Sequence, residues 1–471
     1  MTGTTASAAG SWRELLGRDY GGATTVLAGG VAIYAISEFI TMSLLPSAVA
    51  DIGGERLYAW VTTVYLVSSV VAATTVGSVL TRFGPRWSYL GALLGFSAGS
   101  LLCTFAPTME MLLVGRMVQG LAGGLLAGLG YAVISAALPD RLWTRASAVV
   151  SAMWGIGTLI GPATGGAFAQ FGVWRGGFGI LAALAVAMCL LVPIALPAQA
   201  PSSGDGSARV RIPVRSLVLL GLAALAVSAA AIPRNVAATA GLLVAGVALV
   251  VAFLAVDRNV DVAVLPRSAF GPGPLKWIYA TLGLLMAATM VDMYVPLFGQ
   301  RLGALAPVVA GFLGAALSVG WTVGEIASAS VTNARATVRL VALAPVVMAT
   351  GLTLGWATQK DGATAGTVVL WALALAITGA GIGIAWPHLS AWAMGSVVGD
   401  RAEQAVAAAA INTVQLMCGA FGAGLAGVVV NLRYSADATA ARWMFGVFAI
   451  LAAVGVMASY RAGRGQVRPG S

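Results

Sequence analysis

Gly157-Thr158-Leu159-Ile160-Gly161-Pro162-Ala163-Thr164-Gly165-Gly166 lies within an apolar run from about Ala146 to Gln170. Gly157, Gly161 and Gly165 recur every fourth residue, so on a helix they share one face and leave it bare of side chains. In lipid, a bare face lets a second helix approach closely. Pro162 has no N–H, so the carbonyl of Thr158 loses its helical partner and a bend is expected there. A smooth, bent helix in a membrane bundle predicts a seam along which two bodies rock.

The rest of the chain supports a bilayer setting. Of its 471 residues, 59% are hydrophobic and only 9% are charged, with a mean hydropathy of +0.92. Soluble domains carry roughly 25% charged residues. The 61 glycines suit closely packed membrane helices. Cys103, Cys189 and Cys418 fall in apolar runs and read as small buried groups, not as a disulfide framework or a metal site. The net charge of +10 comes mainly from arginine. In a bilayer protein it reads first as an orientation signal, ahead of nucleic-acid binding. The segment through Tyr20 is polar and mixed in charge, unlike a signal peptide.

A helix needs about 20 apolar residues to cross the hydrocarbon core, and about fourteen runs qualify. Six lie near 23–45, 58–80, 87–106, 109–138, 146–170 and 176–196. A polar stretch, 197–213, leads to two runs almost without polar groups, 214–232 and 236–256, which predict a lipid-facing role. The stretch 257–274, with Pro266, Pro272 and Pro274, precedes six more runs near 275–298, 306–331, 338–356, 363–386, 405–430 and 441–460. The expected organisation is a six-helix bundle over 1–197, a linker with two extra helices over 198–274, and a second six-helix bundle over 275–471.

With the N-terminus inside, the inner segments hold Arg13, Arg18, Arg82, Arg86, Arg141, Arg145, Arg209, Arg211, Arg335 and Arg339 among others. The outer segments hold fewer, such as Arg56, Arg175 and Arg301. That bias predicts both termini in the cytoplasm. Twelve crossings, with the middle pair lying differently, would give the same inner ends. Arg82 and Arg86 follow the second run at a spacing of four, and Arg335 and Arg339 follow the second run of the last six in the same way. Such a repeat suits transporters built from related halves.

These residues carry a resemblance. The stretch Gly157 to Gly166 matches the antiporter motif G-x-x-x-G-P-x-x-G-G in the fifth span. Leu112-Leu113-Val114-Gly115-Arg116-Met117-Val118-Gln119-Gly120 looks like a fourth-span motif, an Arg followed by Gln-Gly. Gly77, Arg82, Gly84 and Arg86 match a cytoplasmic loop motif between spans two and three, although Thr81 stands where Asp is usual and Pro85 where a basic residue is usual. The first span ends Ser43-Leu44-Leu45-Pro46, where the usual acid aligns with Ser37 and Glu38 follows one residue on. The chain therefore resembles the major facilitator superfamily, in its fourteen-span drug:proton antiporter branch, and mycobacterial and related actinobacterial efflux proteins within it. The resemblance implies an all-α membrane protein, two six-helix bundles plus two central helices, working by rocker-switch alternating access.

Ionisable groups at mid-bilayer cost about 2.5–3.5 kcal/mol, so each is a functional candidate. Glu38, Arg116, Asp292 and Glu325 stand out as proton-coupling residues. Glu38 lies about 15 residues into the first span and Arg116 about seven into the fourth, which runs the other way, so both are expected at one depth. In the resembled fold both spans line the central cavity, and the two side chains are expected to face or pair. Burial and a neighbouring guanidinium push a carboxylate's proton affinity in opposite directions. A contact that changes between two conformations can then load and unload a proton, whereas a static pair would only fix packing. Asp292 is expected near the outer end of the ninth span, as a protonation site, a contact for cationic substrate or an interfacial residue. Glu325 lies in the inner part of the tenth span, as a coupling group or a gate. His388, the single histidine, reads as interfacial rather than as a proton relay. Trp154 and Trp321 each precede a glycine by three residues and suit stacking on an aromatic or cationic compound. Most other tryptophans, Trp386 included, read as belt or packing residues. Tyr65, Gln119, Asn412 and Gln415 are further candidates for the cavity.

The expected function is proton-coupled export of lipophilic or cationic small molecules from the plasma membrane of a bacterium. The partners would be a small-molecule substrate, protons and the lipid bilayer, with no nucleic acid and a monomeric chain. No cofactor beyond the proton gradient is expected, and no G-x-x-x-x-G-K-[ST] phosphate loop is found. Export of an endogenous lipid or envelope metabolite is the alternative. A membrane-embedded enzyme or scaffold is least expected, because no loop could hold a catalytic domain and no His, Asp and Glu cluster has suitable spacing.

Overall fold

The computed structural model describes residues 11–196, 212–233, 235–331, 333–397, 401–432 and 436–467. The polar linker 197–211, with Arg209 and Arg211, lies outside the described residues. The described residues are helical throughout, with no strand among them, as an all-α membrane protein requires when its backbone must satisfy itself in lipid. The helices are α1 Gly21–Ile52, α2 Tyr58–Ala73, α3 Val76–Thr104, α4 Met109–Ala132, α5 Trp143–Gln170, α6 Arg175–Ala195, α7 Val214–Ala229 and α8 Val236–Asn259. They continue as α9 Leu275–Gly303, α10 Pro307–Ala329, α11 Ala334–Thr358, α12 Ala365–Gly395, α13 Arg401–Leu432 and α14 Asp437–Val467. Among the described residues 12 helices are long and apolar enough to cross a membrane, not fourteen. The two that fall short are α3, diluted by Ser, Tyr and Trp, and α7, with 16 residues.

Two local features depart from simple spans. Gly84 interrupts α3 with φ 71° and ψ 172°, a conformation only glycine adopts without strain. The expected cytoplasmic loop is therefore a short helical turn, broken at Gly84 and restarted by Pro85. The ninth span is also interrupted, because Met290–Tyr294 forms a 3-10 turn in the middle of α9. By contrast, α5 runs through Pro162 as one helix.

The chain forms two compact units, one of Met1–Thr41 and Ser68–Ile212, the other of Met42–Val67 and Pro213–Ser471. The C-terminal end of α1 and the first part of α2 thus belong with the second unit. In the first unit, α3 and α4 touch through glycine: a Cβ at Gly99 would lie 2.7 Å from the Gln119 nitrogen, and one at Gly115 2.9 Å from the Cys103 nitrogen. Arg86 donates from Nε and Nη2 to the Leu196 carbonyl at 3.0 and 2.9 Å, a cation on the last carbonyls of α6. In the second unit the counterpart contact joins α11 to α12, where a Cβ at Gly351 would lie 2.5 Å from the Thr378 nitrogen and one at Gly381 2.6 Å from the Met348 nitrogen.

The middle pair is not uniformly lipid-facing, as its apolar sequence suggested. In α7, Ser228 is fully buried. Its hydroxyl donates to Thr63 Oγ1 at 2.9 Å, and its carbonyl accepts from Trp60 Nε1 at 3.0 Å. Gly424 of α13 leaves room for it. One buried serine is enough to seat the helix, because a hydroxyl in lipid needs a partner. In contrast α8, only 17% buried over its apolar window, faces outward as expected.

A short helix, Trp12–Leu15, precedes α1. It is tied down by Glu14, whose Oε1 accepts from Arg141 Nε at 2.9 Å and also from Nη2, and by Arg145 over the Trp12 ring at 5.8 Å. The hydrogen bond from Arg141 holds the Glu14 carboxyl below its ordinary value of 4.5. A lowered value means the tie is present above the ordinary carboxylate range and is lost as pH falls through the lowered one. A spin label at Arg13 is expected to stay slow at neutral pH and to become mobile only as pH falls below the ordinary carboxylate range, and Glu14→Gln should show the mobile spectrum at both.

Candidate functional site

The first unit gathers a polar cluster inside its apolar helices. Arg116, about two turns into α4, is only 1% exposed. Its Nη1 donates to Ser37 Oγ on α1 at 3.1 Å and to Gln119 Oε1 at 2.9 Å. Gln119 in turn donates to Ser100 Oγ on α3 at 2.7 Å, and Ser100 donates to the Phe96 carbonyl at 2.8 Å. The contact from Arg116 to Ser37 places residue 37 of α1 and residue 116 of α4 at one depth, as their positions in the spans predicted. Glu38 stands next to Ser37, partly buried, and feels the charge of Arg116. The guanidinium reaches α1 through its hydrogen bond to Ser37.

The glycine face of α5 clasps this part of α1. A Cβ at Gly157 would lie 2.8 Å from Ala35 Cβ, and one at Gly161 would overlap Phe39 and lie 3.1 Å from the Ile40 nitrogen. Pro162, Gly165 and Gly166 are buried as well. Trp154 meets Tyr34 edge-on with centroids 5.6 Å apart. The motif therefore presses on α1 along the residues that carry Ser37 and Glu38. Gly77 and Arg82 lie on the exposed turn before Gly84, with Arg82 over the Phe83 ring at 5.4 Å.

The second unit holds the other candidates. Asp292 sits inside the 3-10 turn of α9 and is 7% exposed, so it is a buried residue of a broken helix rather than an interfacial one. A mid-helix 3-10 turn often marks a hinge. Glu325 accepts from Trp321 Nε1 at 3.2 Å, and Trp321 packs against Trp386 with centroids 5.3 Å apart. Trp386, expected to be a belt or packing residue, packs as half of an aromatic pair beside a carboxylate. His388 contacts the Ser328 carbonyl through Nε2 at 3.1 Å and is 9% exposed, so it is buried rather than interfacial. Tyr65 is fully buried on α2, Gln415 is half-buried and Asn412 is exposed on α13.

Two groups were not read from sequence. Ser37 and Ser100 complete the Arg116 cluster, and their only signal was polarity within apolar runs. Arg301, near the end of α9, bridges Glu55 at 2.8 Å and Asp437 at 3.1 Å. Loop charges far apart in sequence give no sign of such pairing. Among the described residues no cluster of His, Cys, Asp and Glu suits a metal ion.

Comparison with known proteins agrees with this architecture. Residues 27–425 match the model of the Major Facilitator Superfamily. The chain is 61% identical over 462 residues to a probable multidrug-efflux transporter of Mycobacterium tuberculosis strain H37Rv, covering 97% of this chain and 98% of that one. It is 26% identical over 292 residues to a multidrug efflux pump of Staphylococcus aureus strain N315, covering 61% of this chain and 64% of that one. Among solved structures, a D-xylose–proton symporter superposes with a TM-score of 0.65 at 15% identity, covering 93% of this chain and 97% of that one. A family match over most of the chain, a relative of this identity along nearly its whole length and helices fit for repeated crossings agree: this multi-pass membrane protein belongs to the Major Facilitator Superfamily.

Proposed function

We propose that the chain is a proton-coupled antiporter that exports lipophilic or cationic small molecules by alternating access, within the drug:proton branch of its family. One observation carries this reading: Glu38 lies beside the fully buried Arg116, on the stretch of α1 clasped by the glycine face of α5. A carboxylate and a guanidinium held in an apolar bundle are costly and suit a binding role for charge. The glycine contact lets α1 shift against α5 with little side-chain obstruction. As α1 moves, Glu38 changes its distance to Arg116 and so its hold on a proton. Trp321, Trp386 and Glu325 offer ring faces and a negative charge to a cationic aromatic compound. Asp292 supplies a second acid at a hinge. The name of the Mycobacterium tuberculosis relative supports efflux as the direction.

In the same reading α3 and α7 also cross the bilayer, giving fourteen crossings with both ends in the cytoplasm of a bacterium. Cells producing the protein should accumulate less of a fluorescent lipophilic cation than cells without it, and an uncoupler should erase the difference. A difference that an uncoupler leaves intact would speak against proton coupling.

A further inference from the structure

We propose that a cleft between one end of α9, α11 and α14 binds the headgroup of an anionic phospholipid. The cleft encloses about 760 Å³. Arg461 and Arg464 line it from α14, one turn apart and therefore on one face. Each guanidinium lies over a ring face: Arg461 Cζ is 4.4 Å from the centre of Trp277 and Arg464 Cζ is 4.5 Å from that of Tyr460. A guanidinium stacked on its face keeps its N–H edge available, and that edge matches two phosphate oxygens. No carboxylate lines the cleft, and among the described residues neither arginine forms an ion pair. Lys276, Arg335 and Arg339 lie at the same helix ends and add positive charge.

The occupant is a lipid rather than a soluble anion because of what borders the charge. The wall opposite the arginines is apolar, formed by Val338 and Ala342. Beyond it, Leu343 and Met457 are each 53% exposed and Tyr460 is 52% exposed. A Trp and a Tyr beside exposed aliphatic groups mark the level of the headgroups. Basic pockets at such a level take anionic lipid. The phosphate would sit between Arg461 and Arg464, and the acyl chains would follow Leu343 and Met457.

The test uses the full-length protein, purified in neutral detergent, with thermal stabilisation read against short-chain phosphatidylglycerol, phosphatidylcholine and inorganic phosphate. Phosphatidylglycerol alone should stabilise it. Each arginine changed to Gln should weaken that response roughly five-fold, and the pair by about 30-fold. Ala342→Phe, which narrows the cleft and keeps both charges, should weaken it too and covers the case in which the double variant does not fold. An equal response to phosphatidylcholine, or an unchanged response in R461Q/R464Q or in Ala342→Phe, would overturn the site. Equal stabilisation by inorganic phosphate would overturn the lipid as its occupant.

Discussion

Gly379→Val is expected to unfold the second unit at markedly lower temperature, with the transporter extracted in poor yield. The reason is backbone against backbone. A Cβ at Gly379 of α12 would fall inside the Leu317 carbonyl of α10, and one at Gly320 of α10 would fall inside the Ala376 carbonyl. Gly383 meets Trp321, and Gly324 meets Ala380 at 2.9 Å, in the same register. These four glycines let the two helices touch along their main chains, the closest packing available in lipid. Carbonyls cannot rotate aside as side chains do, so the helices must separate. Overpacking typically costs about 1–3 kcal/mol and more where the obstacle cannot move; at Gly379 a loss of ~3 kcal/mol or above is expected. Gly91→Val is the control, since nothing lies within 4 Å of its added Cβ. Thermal unfolding of both variants, followed by size-exclusion fluorescence, separates a seam from a tolerant glycine.

Arg116→Met should show the opposite pattern, with the fold retained and transport lost. The substitution keeps an unbranched, flexible side chain and removes a charge whose insertion costs about 2.5–3.5 kcal/mol. Against that gain, Ser37 Oγ and Gln119 Oε1 each lose a donor, while Gln119 keeps its bond to Ser100. Unsatisfied buried polar groups cost about 1–3 kcal/mol each, so the two effects nearly cancel and stability should change by about 1 kcal/mol or less. Export has no such compensation in the proposed mechanism, where Arg116 is the charge against which Glu38 exchanges its proton. Uphill dye export should fall to the level of protein-free vesicles, while Arg116→Lys, which keeps a charge but not the planar fork, should recover only part of it.

Much of this was legible in the chain. The spacing of Gly157 and Gly161 gave a bare helix face, and that face does meet another helix. The equal depth of residues 37–38 and 116 followed from counting along two antiparallel spans. Other features depend on tertiary partners that no window of sequence contains. The 3-10 turn at Asp292 interrupts a run whose hydropathy is continuous. Ser228 looks incidental until Thr63 and Trp60, about 165 residues away in sequence, close around it. Glu38 and Arg116 were expected to face or pair with each other, but Ser37, Gln119 and Ser100, which join Arg116 across three helices, gave no comparable signal because uncharged groups in apolar runs look alike in sequence.

The central claim is that Glu38, held beside Arg116, carries the proton that drives export. Reconstituted vesicles with an imposed pH gradient test it directly, with wild type and Glu38→Gln compared for uphill transport of a lipophilic cation and for exchange at equal pH. The account predicts that wild type concentrates the cation, and that Glu38→Gln loses uphill transport while exchange persists. Uphill transport by Glu38→Gln at the wild-type rate would contradict it.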